Sequence, residues 1–269
     1  MEREAHAVKE MGMAVELAFQ EMGAGPPVVI LHGLFGSKRN WTSIARQLAV
    51  TCRVVSVDLR NHGESPWDSR HDYPSLAADV ALVLEQQVGR PAAVIGHSMG
   101  GKAAMVLALT RPDLVERLVV VDIPPAESIG TQDVFIRAMR QVPLATLAQR
   151  TEVGTLLSEA IPDPAIRGFL LTNLVAGPGG LSWAINLDTL ASEFDAIRGF
   201  PDMTAAQPCG KPALFLLGGR SDYVQPRHHA QIHRLFPAAE IEVIPEAGHW
   251  VHAEAPAAFL AAVQRFLAV

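Results

Sequence analysis

The stretch VIGHSMGG (residues 94–101) joins a short run of apolar residues to a segment with helical spacing. At its centre, Ser98 stands between Gly96 and Gly100. Where a strand turns at once into a helix, the backbone is strained and the flanking chain passes close, so small neighbours are needed. The stretch therefore predicts a sharp strand–turn–helix that exposes the Ser98 hydroxyl at the carboxyl edge of a sheet.

Short apolar runs like the one before Ser98 recur along the chain. Their continuous apolar character indicates strands buried on both faces, as in parallel sheets. Helical patterns alternate with them, which predicts a doubly wound α/β sheet. The predicted strands are 28–31, 54–57, 93–95, 118–121, 214–217 and, at an edge, 241–244. The predicted helices span roughly 40–49, 73–88, 99–110, 226–235 and 254–267.

Two segments depart from this alternation. Residues 14–19 alternate between apolar and polar side chains, which predicts an antiparallel edge strand. Residues 125–207 show no strand pattern, and an insertion of this length predicts a helical cap. Its amphipathic helical stretches are 134–142, 165–174 and 187–197. We expect a core formed by residues 1–124 and 208–269, interrupted by a cap at 125–207.

The composition argues against several functional classes. The chain has 269 residues, of which 49% are apolar and 19% charged, which is typical of a globular protein with a large core. A net charge of −6 without a block of lysines or arginines argues against nucleic acid as the main partner. The only cysteines, Cys52 and Cys209, lack disulfide or zinc spacing, which favours a reducing compartment.

The sequence also lacks the usual marks of export or of membrane insertion. Residues 1–13 mix charges of both signs and contain no apolar signal-peptide core. No apolar stretch approaches the roughly 18 residues of a membrane span. We therefore expect a cytoplasmic protein, either a monomer or a small homo-oligomer.

A second stretch, ILHGLFGS (residues 30–37), follows a predicted strand and turns at Gly33. Acyl transfer to a serine needs two backbone N–H groups that stabilise the developing oxyanion. We expect these donors to be the N–H groups of Met99 and Leu34, with Phe35 as the alternative to Leu34.

A third stretch, PEAGHWVHAEAP (residues 245–256), places His249 after the last predicted strand. A short loop at this point could bring the histidine across the sheet edge to Ser98. The order of serine before histidine, with an acid between them, fits a nucleophile and its general base.

The acid that would orient this histidine has more than one candidate. Ser221 stands where an acid is usual after the predicted strand 214–217, and Asp222 is one residue later. Asp122 directly follows the strand before it. Consecutive residues that leave a strand point to different sides, so Asp222 should face away if Ser221 faces His249. A further acid, Asp188, is more consistent with a helix cap or an ion pair.

Together these motifs resemble the α/β-hydrolases, and nearly the whole chain resembles bacterial acyl-ester esterases related to a mitochondrial abhydrolase-domain protein. The matching stretches are HGLFGSKRNW, VDLRNHGESP, GHSMGGKAAM, ERLVVVDIPP, LLTNL, LFLLGGRS and AGHWVHAEAP. The resemblance implies a mostly parallel eight-stranded sheet with a helical cap after strand six, serine esterase or thioesterase activity, and no cofactor. It also favours Asp122 as the acid, with the Ser221 hydroxyl as an additional hydrogen-bond partner.

We therefore expect a serine carboxylic-ester hydrolase that acts on acyl esters or thioesters through Ser98, His249 and Asp122. Phe35 and Trp250 should help to form an apolar pocket for the acyl chain. One alternative is a C–C bond hydrolase with the same three residues, and another is a ligand-binding protein that only keeps the fold. The C–C hydrolase would need a cationic side chain in the pocket, for which the candidates are Arg137, Arg140 and Arg220.

The remaining polar residues are expected to have structural roles. His229 and His233 are four residues apart on a predicted helix, but no third ligand accompanies them, so no metal site is predicted. Lys102 should extend to solvent or pair with a carboxylate. Structural hydrogen bonds are expected from His32, His62 and His97.

Overall fold

Seven strands form the central sheet of the structure, a computed structural model that describes residues 14–128, 130 and 132–267. These strands are β1 (Phe19–Met22), β2 (Pro27–Leu31), β3 (Arg53–Val57), β4 (Ala92–His97), β5 (Val115–Val121), β8 (Ala213–Gly218) and β9 (Ala239–Ile244). Their order in the sheet is β1-β3-β2-β4-β5-β8-β9. Only the pairing of β1 with β3 is antiparallel among the neighbours in this sheet.

The helices cover both faces of the sheet and fill most of the segment between β5 and β8. They are α1 (Thr42–Leu48), α2 (Tyr73–Val83), α3 (Met99–Thr110), α4 (Gln132–Gln141), α5 (Arg150–Leu157), α6 (Pro164–Leu171), α7 (Leu187–Ser192), α8 (Phe194–Arg198), α9 (Pro226–Leu235), α10 (Val251–Glu254) and α11 (Pro256–Leu267). Shorter turns are 3₁₀ at Lys38–Trp41 and Leu144–Thr146 and π-helical at Leu84–Val88. None of the described helices is long and apolar enough to span a bilayer.

Alternate residues of each central strand enter two separate apolar cores. In β2, Val29 and Leu31 pack on the side of α2, α3 and α9, whereas Val28 and Ile30 pack on the side of α1 and α11. All five residues of β2 are buried, which explains why its sequence is continuously apolar rather than alternating. This arrangement confirms the predicted doubly wound α/β sheet. It also confirms β9 as an edge strand.

The predicted strand at 14–19 is wrong in position, although an antiparallel edge strand does exist. Pairing begins only at Phe19 and continues to Met22. Before it, the N–H of Val15 donates to Asp79 Oδ1 (2.8 Å) and that of Ala18 to Ser65 Oγ (2.8 Å). Side chains therefore satisfy backbone donors that a strand would have used. The expectation about a signal peptide concerns residues 1–13 and lies outside the described residues.

The strand count and the content of residues 125–207, here called the inserted segment, also differ from expectation. Within the described residues the main sheet has seven strands rather than eight. The inserted segment is not purely helical, because β6 (Leu174–Gly177) and β7 (Gly180–Trp183) pair as an antiparallel hairpin. Its tight Gly-Pro-Gly-Gly turn is a hairpin signal that helical periodicity does not detect.

Glycines allow helix α3 to begin directly against the neighbouring strand. A Cβ atom at Gly100 would lie 2.5 Å from the carbonyl oxygen of His32 and 2.6 Å from that of Leu31. A Cβ at Gly96 would overlap the carbonyl of Gly100. Because these obstacles are backbone atoms, no side-chain rotation relieves them.

We predict that Gly100→Ala destabilises the protein, whereas Gly168→Ala on α6 stabilises it. The first change should lower the free energy of unfolding by about 1–3 kcal/mol through overpacking. The second should raise it by about 1 kcal/mol, because an added Cβ meets no atom within 4 Å and alanine favours helix. Urea unfolding of both variants checks this pair. If Gly100→Ala were as stable as the wild type, the close approach of α3 to the end of β2 would be contradicted.

Candidate active site

Ser98 occupies the turn between β4 and α3 in a conformation that is rare for a residue with a side chain. Its φ is 51° and its ψ is −119°. Such strain persists only where the surroundings hold it, and it is concentrated at functional sites. Here the N–H of Ser98 donates to Val121 O (3.1 Å) and the carbonyl of Ser98 accepts from Lys102 N (3.0 Å). The hydroxyl borders an open cavity above the sheet edge.

His249 lies in the loop between β9 and α10 and contacts both predicted partners. Its Nε2 is 3.1 Å from Ser98 Oγ, and its Nδ1 is 2.8 Å from Asp122 Oδ2. His97 binds the backbone carbonyl of His249 through Nε2 (2.9 Å). With Nδ1–H donating to the carboxylate, Nε2 is left to accept from the serine hydroxyl.

The carboxylate of Asp122 is buried, with 1% of the residue exposed, and accepts three hydrogen bonds. Oδ1 accepts from the N–H of Gly218 (3.1 Å). Oδ2 accepts from His249 and from the hydroxyl of Ser221. These contacts fix the carboxylate, and they include the Ser221 hydroxyl.

The two other acids considered for this position lie elsewhere. Asp222 is exposed, and the Nδ1 atom of His249 faces Asp122 instead. Asp188 lies in the first turn of α7 and pairs with Arg140 (2.8 Å) on the surface.

Tyr223 is a contact of His249 that sequence reasoning missed. The two rings stack with centroids 3.8 Å apart and planes 13° from parallel. The Tyr223 hydroxyl accepts a hydrogen bond from Gln132 Nε2 (2.5 Å), at the start of α4 in the inserted segment. The sequence did offer one signal for this contact. Tyr223 stands two residues after Ser221, and the same turn carries both side chains.

The loop after β2 lies against the Ser98 turn. A Cβ at Gly33 would lie 2.8 Å from His97 Nδ1 and 3.2 Å from Ser98 Cβ, so only glycine permits this approach. Leu34 and Met99 border, together with Ser98, a cavity of about 30 Å³. Met99 is the first residue of α3, where helical N–H groups lack intrahelical partners. The N–H of Phe35, the alternative donor, is already bound to His62 Nε2 (3.3 Å).

A cavity of about 400 Å³ opens above Ser98 and His249. Its walls are mainly apolar and come from the loop after β2, from the inserted segment and from the turn before α10. The side chains include Leu34, Phe35, Phe135, Phe169 and Trp250. A second cavity of about 420 Å³ lies at the opposite edge of the sheet, and none of these residues lines it.

The histidines predicted to be structural are buried and hydrogen-bonded. His32 Nε2 accepts from the N–H of Leu59 (2.9 Å). Burial lowers the pKa of His32 and His97, and it lowers the pKa of His62 to about 3. These rings therefore stay neutral near pH 7. Among the residues that the structure describes, no group of three His, Cys, Asp or Glu side chains could hold a metal ion.

Lys102 does not extend to solvent or pair with a carboxylate, contrary to expectation. Only 1% of it is exposed, and Nζ donates to the carbonyl oxygens of Arg198 (2.7 Å) and Gly199 (2.6 Å) and to Ser128 Oγ (3.1 Å). Burial lowers its pKa from 10.5 to about 7. Periodicity could not reveal this, because all three partners lie in the distant inserted segment.

The chain matches a known protein family and is similar to several known proteins. A family model described as the alpha/beta hydrolase fold matches residues 26–256. The chain is 47% identical over 251 residues to the sn-1-specific diacylglycerol lipase ABHD11 of Mus musculus, covering 90% of this chain and 81% of that protein. It is 36% identical over 242 residues to Esterase YbfF of Escherichia coli strain K12, covering 90% and 92%.

A solved structure titled "Marine microorganism esterase" has a similar backbone. The TM-score is 0.91 at 37% sequence identity, and the match covers 94% of this chain and 100% of that one. The similarity therefore extends over the inserted segment as well as the sheet.

We predict that the contribution of Lys102 to stability depends on pH. The folded state releases the lysine proton near pH 7 and the unfolded chain only near 10.5, so between these values the unfolded state binds more protons. The free energy of unfolding of the wild type, relative to Lys102→Met, should therefore rise with pH across this window, by at most about 1.4 kcal/mol per pH unit. Below pH 6 the difference should be constant. Urea unfolding at several pH values measures it, and a flat difference up to pH 10 would contradict the prediction.

Proposed function

Because this chain belongs to the alpha/beta hydrolase family and is a carboxylic-ester hydrolase, we propose that it cleaves acyl esters through Ser98, His249 and Asp122. Ser98 is the nucleophile, His249 the general base, and Asp122 the acid that orients the histidine. The observation that carries this proposal is the continuous chain of contacts from Ser98 Oγ through both ring nitrogens of His249 to Asp122 Oδ2. This is the geometry that a serine triad requires.

The proposed reaction has two halves. As Ser98 Oγ attacks the ester carbonyl, its proton passes to His249 Nε2, and Asp122 stabilises the imidazolium that forms. The N–H groups of Met99 and Leu34 stabilise the oxyanion. His249 then gives the proton to the leaving alcohol, and an acyl-enzyme on Ser98 remains. A water molecule activated by His249 hydrolyses it in the second half.

We further propose that residues 125–207 act as a cap over an acyl-binding pocket, between the core parts 1–124 and 208–269. The support is that this segment contributes Phe135 and Phe169 to the cavity above Ser98. The mainly apolar wall, which Phe35 and Trp250 complete, favours an acyl chain over a charged substrate. Acyl thioesters are included in the proposed substrates, since the same attack cleaves them.

The proposed setting is a reducing, cytoplasmic compartment, in keeping with the free, buried thiols of Cys52 and Cys209. The enzyme is proposed to act as a monomer or a small homo-oligomer, because one chain supplies all of the residues assigned to the reaction.

The alternative of a C–C bond hydrolase has less support. Arg137 pairs with Asp133 (2.7 Å) and Arg140 with Asp188 (2.8 Å) on the surface. Arg220 is exposed. Within the described residues, no arginine lines the cavity above Ser98. The pocket therefore lacks the cation that an anionic diketone substrate would need.

Ser98→Ala should abolish hydrolysis while leaving the fold intact. We expect kcat for p-nitrophenyl acyl esters to fall by at least about 10³-fold, because the triad acts as a unit. A fluorophosphonate should label the wild type and not the variant. The melting temperature, measured on both proteins, controls for unfolding. Substantial activity in folded Ser98→Ala would refute the proposal, and an inactive wild type would favour the ligand-binding alternative.

The two aspartates considered for the orienting role, Asp122 and Asp222, allow a matched test. Asp122→Asn should lower kcat by about 10⁴-fold, because the amide favours the wrong histidine tautomer. Asp222→Asn, a change of the same size and charge at an exposed position, should leave kcat within about twofold. Steady-state kinetics on one ester measures both variants. The opposite ranking would assign the role to Asp222.

A further inference from the structure

The loop that carries Leu34 contains a strained residue, Phe35. The N–H of Gly36 donates to the carbonyl of Gly33 (2.9 Å), which closes a four-residue turn with Leu34 and Phe35 at its centre. Phe35 has a φ of 63°. A positive φ at the third position is typical of a type II turn, where glycine is normally required. Contacts from outside the turn must therefore hold Phe35 in this conformation.

Two side chains bind the backbone of Phe35 from opposite sides. Its N–H donates to His62 Nε2 (3.3 Å), and its carbonyl accepts from Asn173 Nδ2 (2.8 Å). All of these groups are buried, and Asn173 is only 4% exposed. Both polar atoms of the strained residue are thus bound, one by the core and one by the inserted segment.

On the side of the core, the Nε2 atom of His62 accepts the hydrogen bond from the N–H of Phe35. Its Nδ1 contacts the carbonyl of Arg60 (3.0 Å), so Nδ1 carries the proton and Nε2 is free to accept from Phe35. Burial lowers the pKa of His62 to about 3, which keeps the ring neutral and Nε2 available at neutral pH.

Asn173 provides the donor from the inserted segment, at the end of α6 and just before the hairpin. Its Nδ2 also donates to the carbonyl of Leu170 (3.1 Å), and its backbone carbonyl accepts from Ala184 N (2.8 Å). The carbonyl of Ala184 in turn accepts from Gly63 N (2.8 Å), beside His62. The donor and the acceptor for Phe35 therefore belong to one network that joins the hairpin to the core.

We infer that Asn173 is a positioning residue for the oxyanion site, so that the site is complete only while the inserted segment holds the Asn173 amide against the Phe35 carbonyl. This inference rests on the proposed function. Without the bond to its carbonyl, Phe35 relaxes toward a negative φ, and the turn from Gly33 to Gly36, which includes the Gly33–Leu34 peptide that carries the Leu34 N–H, changes shape. The Leu34 N–H is then displaced from the place where it would meet the oxyanion on Ser98.

Asn173→Ala should lower kcat rather than raise KM. We expect kcat for a p-nitrophenyl acyl ester to fall about 10- to 100-fold, less than the loss of an oxyanion donor itself, with KM changed by at most about twofold. The reason is that the bond supports a group needed in the transition state, while most of the apolar wall that binds the acyl chain, including Phe135, Phe169 and Trp250, is unchanged.

A second readout separates positioning from general destabilisation. An alkyl trifluoromethyl ketone adds reversibly to Ser98: the Oγ–C bond forms, the carbonyl π bond becomes the oxyanion, and the serine proton passes to His249. Its affinity for Asn173→Ala should weaken by about the same factor as kcat/KM, because the adduct resembles the transition state. The affinity for the carboxylic acid of the same chain should stay within about twofold.

Asn186→Ala is the matched control. Asn186 also joins the inserted segment to the core, through Nδ2 to Asn61 Oδ1 (3.0 Å), but does not touch Phe35. It also caps α7, so its loss should lower the melting temperature while leaving kcat and ketone affinity within about twofold. If Asn173→Ala does not fold, Asn173→Ser takes its place.

Three outcomes would overturn the inference. The first is a folded Asn173 variant with wild-type kcat and ketone affinity. The second is a loss of kcat and ketone affinity in Asn186→Ala that equals the loss in Asn173→Ala. The third is failure of both Asn173 variants to fold, which would make the residue purely structural. Failure of the proposed function is a separate result, since it would appear as activity in Ser98→Ala.

Discussion

The site depends on the parallel register of the four central strands. Leu31 lies opposite Gly96, and Val121 lies opposite both His97 and Leu216. Each of these strands therefore ends at the same edge, where its next residues form a loop or a turn. The tight contact of α3 with the end of β2, which glycine at position 100 permits, keeps two of these ends in register. A change in strand pairing would separate the whole cluster.

The same edge concentrates backbone strain that the rest of the fold must hold. Phe35, Ser98 and Asp122 all have a φ between 51° and 63°, and Asn61 in the neighbouring turn has a φ of 65°. Residues with side chains adopt such angles only where packing and hydrogen bonds leave no alternative. The carboxylate of Asp122 is held by three donors, and Phe35 is held on both sides of its backbone. Backbone strain thus occurs together with hydrogen bonds that hold the strained residue, both at Asp122 and at Phe35.

Among the described residues, three of the links between the inserted segment and the core reach residues beside the proposed triad. Lys102 binds backbone carbonyls at the end of α8, Gln132 binds the tyrosine stacked on His249, and Asn173 binds Phe35. Each link joins a residue beside the proposed triad to a residue from 125–207. The placement of the segment is therefore coupled to the geometry of the site, as well as to the walls of the pocket.

The sequence by itself determined the features that depend on neighbours along the chain. Strand–helix alternation predicted the doubly wound sheet, and the approximate ranges predicted for α3 and α9 coincide with their bounds, because both rest on local periodicity. The glycines around Ser98 predicted its turn for the same reason. His249 could be located because its loop follows the last strand and fits the order of a known family.

Only the tertiary structure decided which groups meet across the chain. The sequence favoured Asp122 over Asp222 by a resemblance and a parity argument, whereas the structure places Asp122 against His249 because β5, β8 and β9 are successive neighbours in the sheet. The start of the edge strand, the hairpin and the buried partners of Lys102 depend in the same way on contacts between distant segments. Tyr223 and Asn173 carry no local pattern that marks them, since their importance comes from the atoms that the fold brings to them.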